Sequence, residues 1–370
     1  MSAKLMCPLC FKISKKTEYK FFCENEGEVI SRKSKFSKSV FMGKLEGVEF
    51  CPKCNTPTNT VICPHCEGLL PSSILSCSPI TFSIIGMQSS GKSHFISQII
   101  DRIYSLIPVM NWDLMAADSQ SLGKYARNYR NPLYLRRELI SKTQSHAIAD
   151  NEKRPLLYLL QLSRPHSNKR ILLSLHDSAG EDLENLEGIH LKADYSHLIF
   201  SSGILILIDP LQFEKVRKNP KMRNYINKFG LPPVHSKASK ILEKIVNLLG
   251  KNVSKIPLAV AFSKMDAVSE LFGTDCCVYS YQENKGYLNL QDIRSLNDDM
   301  YAWLSEYQGD DDVLKQISKF SKKSIFGFSA LGSSLDIKAN KPIILSNPAP
   351  LRVEDPFLWL MYSNGLIKGR

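Results

Sequence analysis

Gly86-Met87-Gln88-Ser89-Ser90-Gly91-Lys92-Ser93 follows the apolar run Ile80–Ile85 and precedes Phe95, Ile96, Ile99, Ile100 and Ile103, which recur at helical spacing. The order predicts strand, glycine loop, helix. Glycines at 86 and 91 let backbone come close to a bound anion, and amides at a helix start point toward negative charge. The stretch therefore predicts a phosphate cradle built from Gly86, Gln88, Ser89, Ser90, Gly91, Lys92 and Ser93. Lys92 is placed to reach the β- and γ-phosphates, and the Ser93 hydroxyl to hold Mg²⁺.

Apolar segments recur outward from this loop at Leu156–Leu162, Arg170–His176, Gly203–Ile208, Leu258–Ser263 and Ile325–Ser329. Amphipathic stretches separate them, as in Ile241, Ile245, Leu248 and Leu249 before Gly250. The alternation predicts an α/β fold, a mostly parallel sheet with helices on both faces. A last helix is expected from Pro356 to about Ser363, capped by Asp355. Ligands of such sheets bind at the carboxyl ends of strands, and three further motifs fall at those ends. Asp177-Ser178-Ala179-Gly180 fits D-x-x-G, with the carboxylate on a Mg²⁺-bound water and the Gly180 amide on the γ-phosphate. Ser263-Lys264-Met265-Asp266 resembles [NT]KxD, in which Asp266 accepts from guanine N1–H and the exocyclic amine while the Lys264 stem covers the base. Ser329-Ala330 is expected to place a backbone amide at guanine O6.

In this order the motifs resemble those of P-loop GTPases of the translation-factor-like superclass (TRAFAC), over roughly residues 80 to 365. The resemblance implies binding of GTP and GDP with Mg²⁺, and hydrolysis of GTP by in-line attack of water. It also implies a switch threonine that completes Mg²⁺ coordination, for which Thr143 is the candidate. Departures from the family pattern shape the expectation. Ser263 stands for the usual Asn or Thr. Glu181 follows the D-x-x-G motif where many members place a water-orienting Gln, and a carboxylate there cannot donate to the γ-phosphate. Slow intrinsic turnover follows. Gln88 would crowd an incoming arginine finger, and Ser89 replaces the Asn of potassium-dependent members. More narrowly, Cys63-Pro64-His65-Cys66 and Leu70-Pro71, directly before the loop, resemble the zinc-ribbon layout of bacterial double-GTPase and related zinc-ribbon proteins of conflict systems.

Eight of the ten cysteines lie in the first 77 residues. Clustered cysteines at such spacing point to metal more than to disulfides in a reducing compartment. Cys51-x2-Cys54-x8-Cys63-x2-Cys66 reads as one structural Zn²⁺ held by four thiolates. Cys7, Cys10 and Cys23 read as a second Zn²⁺ site lacking a clear fourth ligand: it is degenerate, borrows Cys77 or a histidine, or is empty. The hairpins can also pair differently, with Cys7 and Cys10 sharing a metal with a later hairpin. The expected division is a cysteine-rich domain at 1–78, linked through Pro71–Ser73 and Ser76–Pro79 to a nucleotide domain at 79–370. Insertions are expected at about 111–153 and 268–319.

The formal charge is +12, but a four-thiolate zinc contributes about −2, so one or two such sites lower the balance to roughly +10 or +8. Basic residues gather in Phe213–Lys228 and, among the cysteines, at Lys12, Lys15 and Lys16. They leave nucleic acid open as a partner beside a protein effector or activating protein. Aromatic interleaving is thin, so a base-stacking platform is not evident in the cysteine region. No leader peptide is expected at the start, and the best membrane candidate, His197–Ile208, is too short and broken by serines. The expectation is a cytoplasmic protein without membrane insertion.

Overall fold

In the computed structural model the described residues are 4–30, 49–87, 89–140, 154–164, 167–179, 183, 195–234, 237–273, 275–280, 284, 286–332, 335–338 and 341–370. The central sheet contains β1 (Ser78–Gly86), β2 (Trp112–Ala116), β3 (Leu156–Arg164), β4 (Ser167–Ala179), β5 (Gly203–Ile208), β6 (Leu258–Phe262) and β7 (Lys323–Gly327). These seven strands lie in the order β2-β3-β4-β1-β5-β6-β7. β4, β1, β5, β6 and β7 run parallel, and β2 and β3 are joined antiparallel at one edge. Every residue of β5 and β6 is buried, which is why both read as unbroken apolar runs.

The packed helices are α1 (Lys92–Met110), α2 (Ser119–Tyr125), α3 (Ala238–Leu249), α4 (Leu290–Tyr307) and α5 (Asp355–Ser363). Ile241, Leu242, Ile245 and Leu249 form the buried stripe of α3, and Gly250 closes it at φ 52. Among the described residues no helix is long and apolar enough to cross a membrane.

The two stretches expected as insertions contribute to the core instead. Residues 112–116 form β2, paired with β3 through Trp112 opposite Leu162. The 268–319 stretch carries α4, whose Ile293, Leu296, Met300, Trp303 and Leu304 are buried. Asp355 is not the cap of α5. Its carboxylate lies 2.8 Å from Arg352 Nη1, which also bonds Asp292 on α4 at 2.7 Å. Arg352 is itself buried, so the three charges clasp α4 to α5 inside the protein.

The residues before β1 form short strands, a four-stranded sheet and two pairs. The stretch read as a linker is ordered: Leu69–Pro71 pairs with Thr60–Ile62 and runs directly into a 3-10 turn at Ser72–Leu75. This cysteine-rich region packs on β3 and β4. Leu156, Tyr158 and Leu160 face the main core, while Leu157 joins Tyr19, Phe21, Val61, Leu70 and Ile74 in a second one. On β4, Ile171 and Leu173 face the main core and Leu172 the second. The period of two assigns one face of these strands to the helices and the other to the cysteine-rich region.

Candidate nucleotide site and cysteine centres

β1 ends at Gly86, and the chain turns back through Ser89 at φ 63 and Gly91 at φ 73. Gly91 is the N-cap of α1 and supplies no side-chain acceptor for the first amides of the helix. A Cβ on Gly86 would lie 2.6 Å from Lys92 Cβ and 2.7 Å from Ser90 Oγ; only glycine permits this close return. Ser90 Oγ is buried with no hydrogen-bond partner among the described residues. Lys92 is buried, its Nζ 2.6 Å from Asp177 Oδ1 at the end of β4. Tyr129 OH donates to Asp177 Oδ2 at 2.9 Å. Ser93 stands half-buried in the first turn of α1.

Two imidazoles flank this end. His197 stands between β1 and β4, its Nδ1 2.9 Å from Ser83 Oγ and its Nε2 3.0 Å from Ser178 Oγ. Burial, reinforced by Lys92, pushes it down to about 3. His94, on α1, is pushed down to about 4 by burial and then by Lys264, and its Nε2 accepts the Ile140 N–H at 3.1 Å. Both rings are neutral at pH 7, which leaves Lys92 as the charged donor directed at the loop.

The second group of motifs stands after β5, β6 and β7. Ser263 Oγ donates to the Ile208 carbonyl at 3.3 Å, so this serine still ties the loop to β5. Lys264 adopts φ 53, and its Nζ lies 2.6 Å from Oδ2 of the fully buried Asp209. Asp209 Oδ1 meanwhile accepts the Leu211 N–H at 2.9 Å. Burial raises the Asp266 carboxylate above its ordinary value, opposed by a hydrogen bond donated by Ser329 Oγ to Oδ1. The Gly332 amide fixes that serine by donating to its oxygen at 3.2 Å. One cavity of about 340 Å³ is lined by Gly86, Lys92 and Ser93 at one end and by Lys264, Asp266 and Ala330 at the other. Gln88, Thr143, Gly180 and Glu181 lie outside the described residues.

The cysteines sort differently from their order in sequence. The sulfurs of Cys7, Cys10, Cys63 and Cys66 all lie within 4.8 Å of one another, as do those of Cys23, Cys51 and Cys54. The expected four-thiolate set Cys51, Cys54, Cys63 and Cys66 is therefore split, and Cys23 is separated from Cys7 and Cys10. The short antiparallel strand Lys20–Cys23 pairs with Thr60–Ile62 and carries Cys23 away from the first hairpin. Cys77 is buried and belongs to neither cluster. Burial pushes the Cys7 thiol up, and Cys66 and Cys10 beside it add to that. Four such sulfurs share this space as neutral thiols or around a cation, and an all-sulfur tetrad suits Zn²⁺.

The first of these hairpins touches the nucleotide end. His176, the residue before Asp177, is buried near the Pro8 backbone of this hairpin. The Phe11 ring lies 5.3 Å from that of His176, which stacks on His197 at 5.0 Å.

A family model described as Double-GTPase 2 matches residues 80–324. The chain belongs to the Double-GTPase 2 family. It is also similar to SaeC of Mycolicibacterium smegmatis, described as a putative ESX-1 scaffolding and assembly protein, with 27% identity over 157 residues. That match covers 42% of this chain and 40% of SaeC, so the chain spans less than half the length of this relative. Among solved structures it is similar to a GTP-binding protein of Sulfolobus solfataricus in complex with GDP, at 13% identity and TM-score 0.25, covering 68% of this chain and 47% of that one. It is similar as well to the GTPase-like domain of Saccharomyces cerevisiae Ski7 bound to GTP, at 13% identity and TM-score 0.31, covering 78% and 50%. Likeness at these scores carries no functional inference.

Within this Double-GTPase 2 member, four residues in or behind the cavity wall had no motif to announce them. Tyr129 and Asp209 hold Asp177 and Lys264 from behind. Tyr225 and Phe229, with ring centroids 4.8 Å apart, line the cavity wall. Tyr225 stood inside a segment read only for its positive charge. The available signal for Asp209 was a carboxylate directly after a fully apolar strand.

Proposed function

We propose that the chain binds GTP in the 340 Å³ cavity, hydrolyses it to GDP and phosphate, and passes the nucleotide state to a protein partner. Membership of the Double-GTPase 2 family supports guanine-nucleotide binding. The observation that carries the rest is the two ends of one cavity: a buried Lys92–Asp177 pair at one and the Asp266–Ser329 pair at the other. Binding exchanges the Lys92–Asp177 contact for separate partners. Lys92 turns to the phosphates with the amides at the start of α1, and the Ser90 hydroxyl gains an acceptor. Ser93 and Asp177 are hard oxygen donors suited to Mg²⁺, which neutralises charge on the phosphate oxygens when bound. Thr143, Gly180 and Glu181 complete this reading from the sequence.

The division into domains at 1–78 and 79–370 belongs to the same proposal. The cysteine module takes the role of a partner surface, and its contact with His176 supports a route between that surface and Asp177. A nucleotide-gated assembly module with little hydrolysis is the second reading. Glu181 favours it, as does the description of SaeC as a scaffolding and assembly protein.

Binding and turnover of GTP and ATP by the wild type and two variants test this reading. Lys92→Ala is expected to lower turnover ~10²–10³-fold, the usual effect of removing one charge-stabilising donor. Asp266→Asn is expected to shift preference from guanine to xanthine nucleotides. Preference of the wild type for ATP sinks the assignment of Asp266. Single-turnover GTP hydrolysis separates the two readings: slow but measurable chemistry supports the regulatory enzyme, and bound GTP that stays intact supports the assembly module.

A further inference from the structure

Four turns in the cysteine-rich region share one backbone geometry. Each begins at a cysteine, and the amide of the fifth residue donates to that cysteine's carbonyl: Phe11 to Cys7 at 2.9 Å, Gly27 to Cys23 at 2.9 Å, Asn55 to Cys51 at 2.8 Å and Glu67 to Cys63 at 3.1 Å. That fifth residue is left-handed in all four, with φ of 59, 67, 54 and 55. In two of the turns an inner amide donates to the leading sulfur, Leu9 to Cys7 at 3.4 Å and His65 to Cys63 at 3.5 Å. In three turns the fourth residue is the second ligand: Cys10, Cys54 and Cys66. In the turn from Cys23 it is Glu26. This is also the turn that faces the cluster with three sulfurs, Cys23, Cys51 and Cys54.

We propose that Glu26 is the fourth ligand of a second zinc site, Cys23-Glu26-Cys51-Cys54. The neighbouring carboxylates are engaged elsewhere: Glu24 accepts from Thr60 Oγ1 at 2.5 Å, and Glu28 pairs with Lys53. The Glu26 side chain is exposed and its carboxylate lies outside the 4.8 Å cluster of the three sulfurs, so the proposal requires this side chain to turn inward when the metal binds. Three thiolates and one carboxylate give Zn²⁺ the same net charge as four thiolates. The oxygen is nevertheless a harder donor for a borderline-soft metal, and it faces solvent. The two centres therefore differ: Cys7-Cys10-Cys63-Cys66 holds its metal tightly, and the Glu26 centre exchanges it.

The test uses the full chain and needs no nucleotide. Zinc is counted by mass spectrometry, its release to a chromogenic chelator is followed in time, and the protein is reloaded with Co²⁺ for absorption spectroscopy. Two zinc ions per chain are expected, released in two phases. Glu26→Ala should accelerate only the faster phase, by at least the roughly 10–100-fold that loss of an outer partner costs a metal site. Glu26→Cys should slow that phase and raise the sulfur-to-Co²⁺ charge-transfer band from seven thiolates per chain to eight. Glu26 is exposed, so neither variant disturbs the core. One zinc per chain overturns the proposal. So does an unchanged fast phase in Glu26→Ala, or a Glu26→Cys spectrum with no added thiolate.

Discussion

The two parts of this protein that meet at β3 and β4 are stabilised by different physics. Within β5 and β6 every side chain is buried and apolar, and long helices close the layers. The cysteine module has strands of two to four residues, and its core needs Leu157 and Leu172 of the sheet to complete it. A region this small cannot offset its chain entropy by burial alone, and its two cysteine clusters are placed to supply the difference by holding metal. The dependence runs both ways, because the module covers Leu157 and Leu172 on one face of β3 and β4. The largest expected effect tests this contrast. Binding of a structural zinc contributes on the order of 10–16 kcal/mol, much of it as folding energy. Chelation should therefore abolish hydrogen-exchange protection at Phe21, Phe22 and Val61 while Leu205, Ile206 and Val260 keep theirs. Equal loss in both parts, or none in the module, breaks the comparison.

The sheet domain also holds a buried ionic clasp between two helices, and it yields the next largest effect. Arg352 bonds both carboxylate oxygens of Asp292, at 2.7 and 2.9 Å, and Oδ2 of Asp355. Replacing the guanidinium with a methionine leaves two buried carboxylates without their cation. Arg352→Met should cost about 3–5 kcal/mol, the usual result of removing one partner of a buried ion pair. Denaturant unfolding of the sheet domain measures it, and a cost below about 1 kcal/mol would mean that the carboxylates find other partners. The module should keep its zinc in this variant, which separates the two kinds of stabilisation.

Much of the sheet was legible because its signals are local. The apolar run before Gly86 and the helical spacing after Ser93 each fix an element within a few residues, and β5 needed nothing beyond Gly203–Ile208. The failures arise where a residue's partner is distant. Leu156–Leu160 is nearly all apolar, so its period of two carries no sign, and the sequence could not say that Leu157 faces sulfurs while Tyr158 faces helices. The cysteine hairpins were grouped first by proximity in sequence, with a pairing of Cys7 and Cys10 to a later hairpin left open; loop length does not determine which hairpins meet in space, and Cys7 and Cys10 meet Cys63 and Cys66. Asp355 had the position of a helix cap, and a buried arginine three residues earlier claimed it instead. At the cavity the phosphate and base motifs were legible as strings, while Tyr129 and Asp209, which hold two of their side chains, belong to no string.

The smallest effect tests the seam between the two parts. His197 lies against His176, which the module touches through Pro8 and Phe11. Two serine hydroxyls occupy its ring nitrogens, and burial with nearby Lys92 lowers its folded-state value to about 3 from 6.5. Below pH 6.5 the unfolded chain takes up a proton that the folded chain refuses. The stability due to the neutral ring is therefore complete above that pH and falls as the pH drops toward 3. Between pH 7 and pH 5 the loss is about 2 kcal/mol for one such group. His197→Gln keeps an amide able to bond a serine but cannot titrate, so its unfolding free energy should fall less steeply over this interval. His176, lowered as well by burial and by His197, continues to titrate on unfolding, so the acid limb flattens without vanishing. Denaturant unfolding at pH 7 and pH 5 reads the difference. Equal slopes in both proteins would mean that the seam opens to solvent before the sheet unfolds, and the module would then be a separable domain and not the cover of β3 and β4.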